Sequence, residues 1–294
     1  MNIYDEIKYT VIDDSDSAVR TQADWNMAFG LQAVDGLRPS EYMVSLAKSN
    51  IKGEITYEQI EGQLRSYYSS DKKSITTQNE READEVSLRI VQILNDGAFS
   101  FSPLTLKNYH KRLFYGIDLG ISGKYIGNFR DVNISKSEPI LNGKSVTYAD
   151  HRLIEQTLKY DFDEEQGQNY VGMTENERVD RITTFTSRIW QVHPFREGNT
   201  RTTAVFVEKY LRSIGFEVDN DLFKDNSVYF RNALVRANYR SVKDGVNINT
   251  DYLKAFFENL IAAKCNTLDN RSLYVTTDSR NYDGLIIPQN NGRK

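Results

Sequence analysis

Apolar residues recur along most of this chain at intervals of three and four, the period of helices with one buried face. Trp25, Ala28, Phe29 and Leu31 share such a face, and Asp35-Gly36 reads as the end of that helix. Ser40 is placed to cap a second helix with Met43, Val44, Leu46 and Ala47 on its apolar side. Thr56 and Gln59 form a capping-box pair for a third helix carrying Ile60, Leu64 and Tyr67. Residues 23–68 therefore read as a three-helix lobe, preceded by a polar arm over 1–20 and followed by a polar linker over 69–80. Helical stripes resume over 80–95 (Val86, Ile90, Ile93, Leu94) and 103–115, where Pro103 sits at a helix start. Further helices are predicted over 149–160, from the Thr174–Glu177 capping box to Trp190, and over 227–241 and 250–264, with an acidic loop at 161–168. The segment holding Ala204, Val205, Phe206, Val207, Tyr210, Leu211 and Ile214 is apolar around most of its circumference, so its helix is expected to be central.

Three stretches depart from this period. Gly116, Gly120, Gly123 and Gly127 make 116–130 a loop. Over 132–148, strand-forming Val132, Ile134, Ile140, Val146 and Tyr148 flank Asn142-Gly143, the strongest short hairpin signal. Pro139 restricts that hairpin to edge-like pairing, and a lone hairpin is marginal, so it is expected to lie over something. The tail from Asn266 carries one β-like run, Leu273-Tyr-Val-Thr-Thr. The fold class is thus mainly α, divided into an N-terminal helical lobe (1–75), a larger domain (80–265) and a tail (266–294).

Composition narrows the classes. A net charge of −4 gives no reason to expect nucleic-acid binding. The 39% hydrophobic and 12% aromatic shares are enough for a core. The single cysteine, Cys265, allows no internal disulfide and no cysteine metal cluster. The charged start of the chain lacks the apolar run of a signal peptide, and no stretch is long and apolar enough to span a bilayer. A bacterial cytoplasmic protein with no membrane partner is the expectation; oligomeric state is left open.

Chemistry concentrates between the last two strong helical segments, in His193-Pro-Phe-Arg-Glu-Gly-Asn-Thr-Arg201. His193 can take a proton near neutral pH, and Pro194 forces the chain to turn after it. Gly198 and Asn199 tolerate unusual backbone angles, and a turn of N–H groups at a helix N-terminus makes an anion site. Arg201, in the first turn of the next helix, opposes the helix dipole, which a bound anion would explain. Glu197 beside a phosphate site is a natural Mg²⁺ ligand. Residue by residue, the same loop also reads as a helix cap and a connecting turn. Its density of base, carboxylate, glycine and arginine is what favours chemistry.

The nine residues resemble the signature of the Fic family (filamentation induced by cyclic AMP), His-x-Phe-x-Asp/Glu-Gly-Asn-x-Arg-x-x-Arg. The likeness extends over residues 85–262 and implies a Fic-type helical bundle in which 132–148, including Ile134, Ser135 and Lys136, is the flap that holds a target backbone. It implies AMP transfer from ATP to a Ser, Thr or Tyr hydroxyl of a target protein, including the chain itself. In that scheme His193 is the base, Phe195 anchors the loop, and Glu197 holds Mg²⁺. Gly198 and Asn199 form the phosphate nest, Thr200 adds a Cβ to it, and Arg201 contacts phosphate. Tyr229 and Asn238 resemble nucleotide-contacting positions.

The N-terminal lobe resembles the family's inhibitory helix, Ser/Thr-x-x-x-Glu-Gly, with Leu31, Asp35 and Gly36 at the motif positions. In that motif the Glu pairs with the last signature Arg, which here is Ala204. Asp35 is therefore expected to meet the Ala204 methyl, which leaves autoinhibition lost, exerted through another pair, or present only as a structural relic; weak or absent Glu-type inhibition, with the lobe serving mainly as packing, is the favoured reading. A Fic-fold phosphotransferase or other nucleotidyl transferase, and a non-catalytic binding module, are the alternatives to AMP transfer.

Overall fold

The computed structural model describes residues 14–69 and 75–275. The described residues form α1 (Asp14–Gln32), α2 (Glu41–Ile51), α3 (Tyr57–Tyr68), α4 (Ile75–Leu94), α5 (Pro103–Phe114), α6 (Ile154–Gln166), α7 (Glu175–Val192), α8 (Asn199–Ser213), α9 (Leu222–Arg236) and α10 (Asp251–Ile261). None of these helices is long and apolar enough to cross a membrane.

The mainly α reading holds, and the caps that define the helix starts fall where the sequence puts them. Ser40 Oγ accepts from the Met43 N–H, and both capping boxes, Thr56/Gln59 and Thr174/Glu177, are closed in both directions. α8 is the axis. Every residue from Asn199 to Leu211 is buried, and the helix packs on α4, α5 and α7. Burying a helix on all sides requires partners for its polar residues. Lys209 accordingly donates to the carbonyls of Leu94 and Asp96, and Thr202 to the carbonyl of Gly198.

α1 lies along α9 and α4, so the N-terminal helices share one hydrophobic cluster with the rest. The close approach to α9 depends on Gly30, where a Cβ would stand 2.1 Å from the Phe223 carbonyl oxygen.

Several boundaries need correction. α1 begins at Asp14, nine residues before the expected start at Ala23, while residues 1–13 lie outside the described residues. α4 takes in the end of the expected linker, of which 70–74 lie outside the described residues. The expected acidic loop at 161–168 is mostly the last turns of α6. Phe162 and Glu165 face inward there, and Glu165 accepts from the hydroxyls of Tyr170 and Tyr210.

The expected hairpin at 132–148 also needs correction: its turn forms and its ladder does not. Asn142 and Gly143 take the left-handed angles of a tight turn, at φ 54° and 81°. The Glu138 N–H donates to the Lys144 carbonyl (2.9 Å), but Pro139 offers no N–H and begins a 3-10 turn over Pro139–Leu141 that leaves the strand path. What remains is an extended loop with Ile140, Val146 and Tyr148 turned into the core. Of the β-like run at the tail, Val275 donates one hydrogen bond to the Ile140 carbonyl, and Thr276 and Thr277 lie outside the described residues.

Candidate active site

α7 ends at Val192, and His193 follows with φ 48°, a left-handed angle that turns the chain toward α8. Its imidazole is buried and stacks on Tyr148 at 4.0 Å between ring centroids. Nδ1 lies 3.2 Å from the Trp190 carbonyl oxygen, which can only accept, so Nδ1 carries the proton and Nε2 keeps a lone pair. Burial, with the positive charges of Lys136, Arg130 and Arg231, pushes the His193 pKa down to about 3. The ring is neutral at pH 7, the form a base requires.

The loop that follows is held from beneath. Phe195 is buried and stacks on His110 at 3.8 Å and 11°. His110 accepts the Gly127 N–H at Nδ1, so its Nε2–H donates to the Glu197 carbonyl (3.0 Å). Asn199 bonds both the N–H and the carbonyl of Phe195 at 2.9 Å, closing the turn on itself. Gly198 sits at φ 73°, and a Cβ there would meet the Phe114 ring at 2.4 Å. Thr200 Oγ1 accepts from the Trp190 indole, so its added Cβ is accommodated in the wall. No side chain caps α8 at Gly198. The Gly198 N–H donates to Glu197 Oε1 at 3.2 Å, an anion already seated at the positive end of the helix, the geometry that binds anions.

A cavity of about 710 Å³ opens beside this end, lined among others by Asp35, Glu82, Lys136, Glu197, Arg201 and Arg231. Glu197 stands at its edge with a 37% exposed side chain, 3.9 Å from Lys136 Nζ. A hollow of about 800 Å³ between α3, α4 and α5 is larger, but no signature residue lines it.

Arg201 is 1% exposed and fully engaged. Its Nε pairs with Asp35 at 2.8 Å, though the N–H is not aimed along that line, and its Nη2 bonds Glu82 at 2.7 Å. Its Nη1 donates to Gln32 at 3.2 Å, and the Phe114 ring lies 4.7 Å beneath the guanidinium. The expected contact of Asp35 with Ala204 is therefore overturned. α1 closes in a 3-10 turn over Ala33–Asp35, and from it Asp35 reaches the signature arginine one turn earlier. Leu31 is a core residue with no exposed surface, and Gly36 is the left-handed cap that reverses the chain. Nothing in the sequence pattern singles out Glu82. Burial raises its pKa, and Arg201 counteracts that rise.

Other expected residues lie elsewhere. The Tyr229 hydroxyl donates to the Tyr252 carbonyl within the α9–α10 core. The Asn238 amide bonds Leu234 and Ser187, tying α9 to α7. Neither lines the cavity. Ile134, Ser135 and Lys136 form one arm of the extended loop over 132–148, with the Lys136 N–H bonded to Ser145 Oγ.

Residues 100–211 match the model of the Fic/DOC family. A Fic domain-containing signaling protein from Bacteroides thetaiotaomicron VPI-5482 shares the fold with a TM-score of 0.51 at 14% identity, over 83% of this chain and 84% of that one. The N-terminal Fic domain of Bep8, a VirB-translocated effector from Bartonella sp. 1-1C, gives 0.50 at 19% identity, over 67% of this chain and 94% of that one. No curated protein matches the chain. The matched span contains the loop His193–Arg201 and the buried helix that follows it, and residues 100–211 of this chain are a domain of the Fic/DOC family.

Proposed function

We propose that the chain transfers AMP from ATP to a hydroxyl on a protein, with itself among the acceptors. One observation carries this reading: a neutral imidazole with a free Nε2 and an uncapped helix N-terminus share a single nine-residue loop. The acceptor oxygen attacks the α-phosphorus, the bond from that phosphorus to the α–β bridging oxygen breaks, and pyrophosphate leaves. The hydroxyl proton goes to Nε2 of His193. A polyphosphate beside the ring favours the imidazolium, so binding ATP strengthens this base.

The N–H groups at Gly198 and Asn199 cradle phosphate, and Arg201 supplies a guanidinium to it. Phe195 and Thr200 hold the turn, and Ile134, Ser135 and Lys136 line the flap against which the acceptor backbone lies. Glu197 suits Mg²⁺, which binds through one or two carboxylates and fills its shell with phosphates and water. Among the described residues no group of three His, Cys, Asp or Glu offers an all-protein site. Bound there, the ion would offset the charge that develops on the departing phosphates.

In the state described, Arg201 is occupied by Asp35 and Glu82, carboxylates where phosphate oxygens would go. This is a restrained state, and ATP must displace at least Asp35 to use the guanidinium. The test is incubation of the purified chain with Mg²⁺ and ATP labelled at either the α- or the γ-phosphate. Incorporation from the α position alone supports the reading. Incorporation from γ makes the chain a phosphotransferase, and none from either, in the wild type and in Asp35→Ala, makes it a binding module.

A further inference from the structure

Arg130 lies outside the signature, on the loop between α5 and the flap, and is 2% exposed. Its Nε donates to the His193 carbonyl (2.8 Å) and its Nη1 to that of Val132 (2.8 Å). Its Nη2 donates to the carbonyls of Ala149 (2.5 Å) and Val192 (3.2 Å). Its own N–H donates to the Pro194 carbonyl at 2.8 Å. Among the described residues no carboxylate forms an ion pair with it.

A buried guanidinium without a counter-ion needs every donor satisfied. Here its direct hydrogen bonds all go to carbonyls, two of them at the C-terminus of α7, the negative end of the helix dipole, while the more distant charge of Asp150 also favours the cation. The carbonyls belong to separate pieces of backbone. Val132 and Ala149 bracket the flap, and Val192 and His193 are the end of α7 and the base itself. The flap lacks a strand ladder, so its ends are not registered by pairing along its arms. His193 is held at φ 48°, an angle a non-glycine residue needs outside support to keep. One planar group meets both needs.

We propose that Arg130 is a positioning residue for the transfer reaction: it fixes both ends of the flap and the backbone of His193 as one unit, so that a hydroxyl held on the flap meets Nε2 in register. This rests on the transfer reading above. A lysine keeps the charge but has three donors at one point rather than a fork, and cannot span the two segments.

The test compares wild type with Arg130→Lys and Arg130→Gln, using α-labelled ATP with Mg²⁺ and self-incorporation as the readout. A misplacement of about 1 Å costs on the order of 100-fold in rate. The expected result for Arg130→Lys is an unchanged KM for ATP with kcat lower by about that factor. In the same variant, NMR shows the His193 ring signals moving together with faster exchange of the flap amides. A kcat within a few-fold of wild type, or a loosened flap with His193 signals unmoved, overturns the proposal while transfer stands. If Arg130→Lys fails to fold, the same paired NMR change in Arg130→Gln decides. No incorporation by wild type or by Asp35→Ala removes the transfer reading itself, and this proposal with it.

Discussion

Asp35→Ala probes the restraint on Arg201. The guanidinium is 1% exposed and is shared between Asp35 at 2.8 Å and Glu82 at 2.7 Å, with Gln32 at 3.2 Å. Removing Asp35 leaves Glu82 to compensate the buried charge, so the variant is expected to fold. A contact to a charged group is worth roughly 1.5–3 kcal/mol. At about 1.4 kcal/mol per factor of ten, ATP then reaches Arg201 more easily by about 10- to 100-fold. Because the two anions compete for one cation, the same factor appears in ATP affinity as in transfer rate at low ATP. The assay is the initial rate of α-label incorporation at subsaturating ATP, with ATP affinity measured by calorimetry. Asp35→Asn, which keeps the size and removes the charge, moves the same way by less. A rate in Asp35→Ala equal to or below wild type, with unchanged affinity, would refute the reasoning, because it would make Asp35 a support for Arg201 rather than its competitor.

Two further outcomes follow from single positions. Gly198→Ala forces a Cβ into the Phe114 ring at 2.4 Å and strains a φ of 73°, so it is expected to lose about 1–3 kcal/mol in urea unfolding and to lower transfer; wild-type stability would contradict the packing described. Glu208 is buried with Asp24 and shares Arg212 with it, and burial lifts its pKa from 4.5 to about 7. A carboxyl whose pKa is raised on folding favours the folded state while protonated, so its contribution falls as pH rises from about 4.5 to about 7. Glu208→Gln should therefore gain on wild type between pH 5 and pH 8, by an amount of order 2–3 kcal/mol; a pH-independent difference would show that Glu208 keeps its charge.

The candidate site's loop was legible because it is contiguous. A base, a carboxylate, a glycine turn and an arginine fall within nine positions, and the helix after them is apolar on every side, a pattern that by itself marks it as buried. The residues that hold the loop were not legible. His110, Arg130 and Glu82 are single polar residues far along the chain from His193–Arg201; the packing of α4 and α5 on α8 brings Glu82 and His110 there, and the loop after α5 brings Arg130. His110 gave a faint signal as one of three histidines, set beside the apolar Tyr109 and Leu113. Asn142-Gly143 announced its turn because φ preference is local. The missing ladder depended on Pro139 and on the inward pull of Ile140, Val146 and Tyr148. Matching Asp35 to a motif paired it with Ala204, since a motif fixes order along the chain and not the 3-10 turn that aims the side chain at Arg201.

The central claim is that His193 takes the proton of a hydroxyl attacking the α-phosphorus of ATP. It is tested most directly by comparing Asp35→Ala with Asp35→Ala/His193→Ala for incorporation from α- and γ-labelled ATP in the presence of Mg²⁺. Expected is α-label alone in the first protein and, with ATP still bound, a loss of at least about 100-fold in the second. Undiminished α-label without His193, or label arriving from the γ-phosphate, would contradict it.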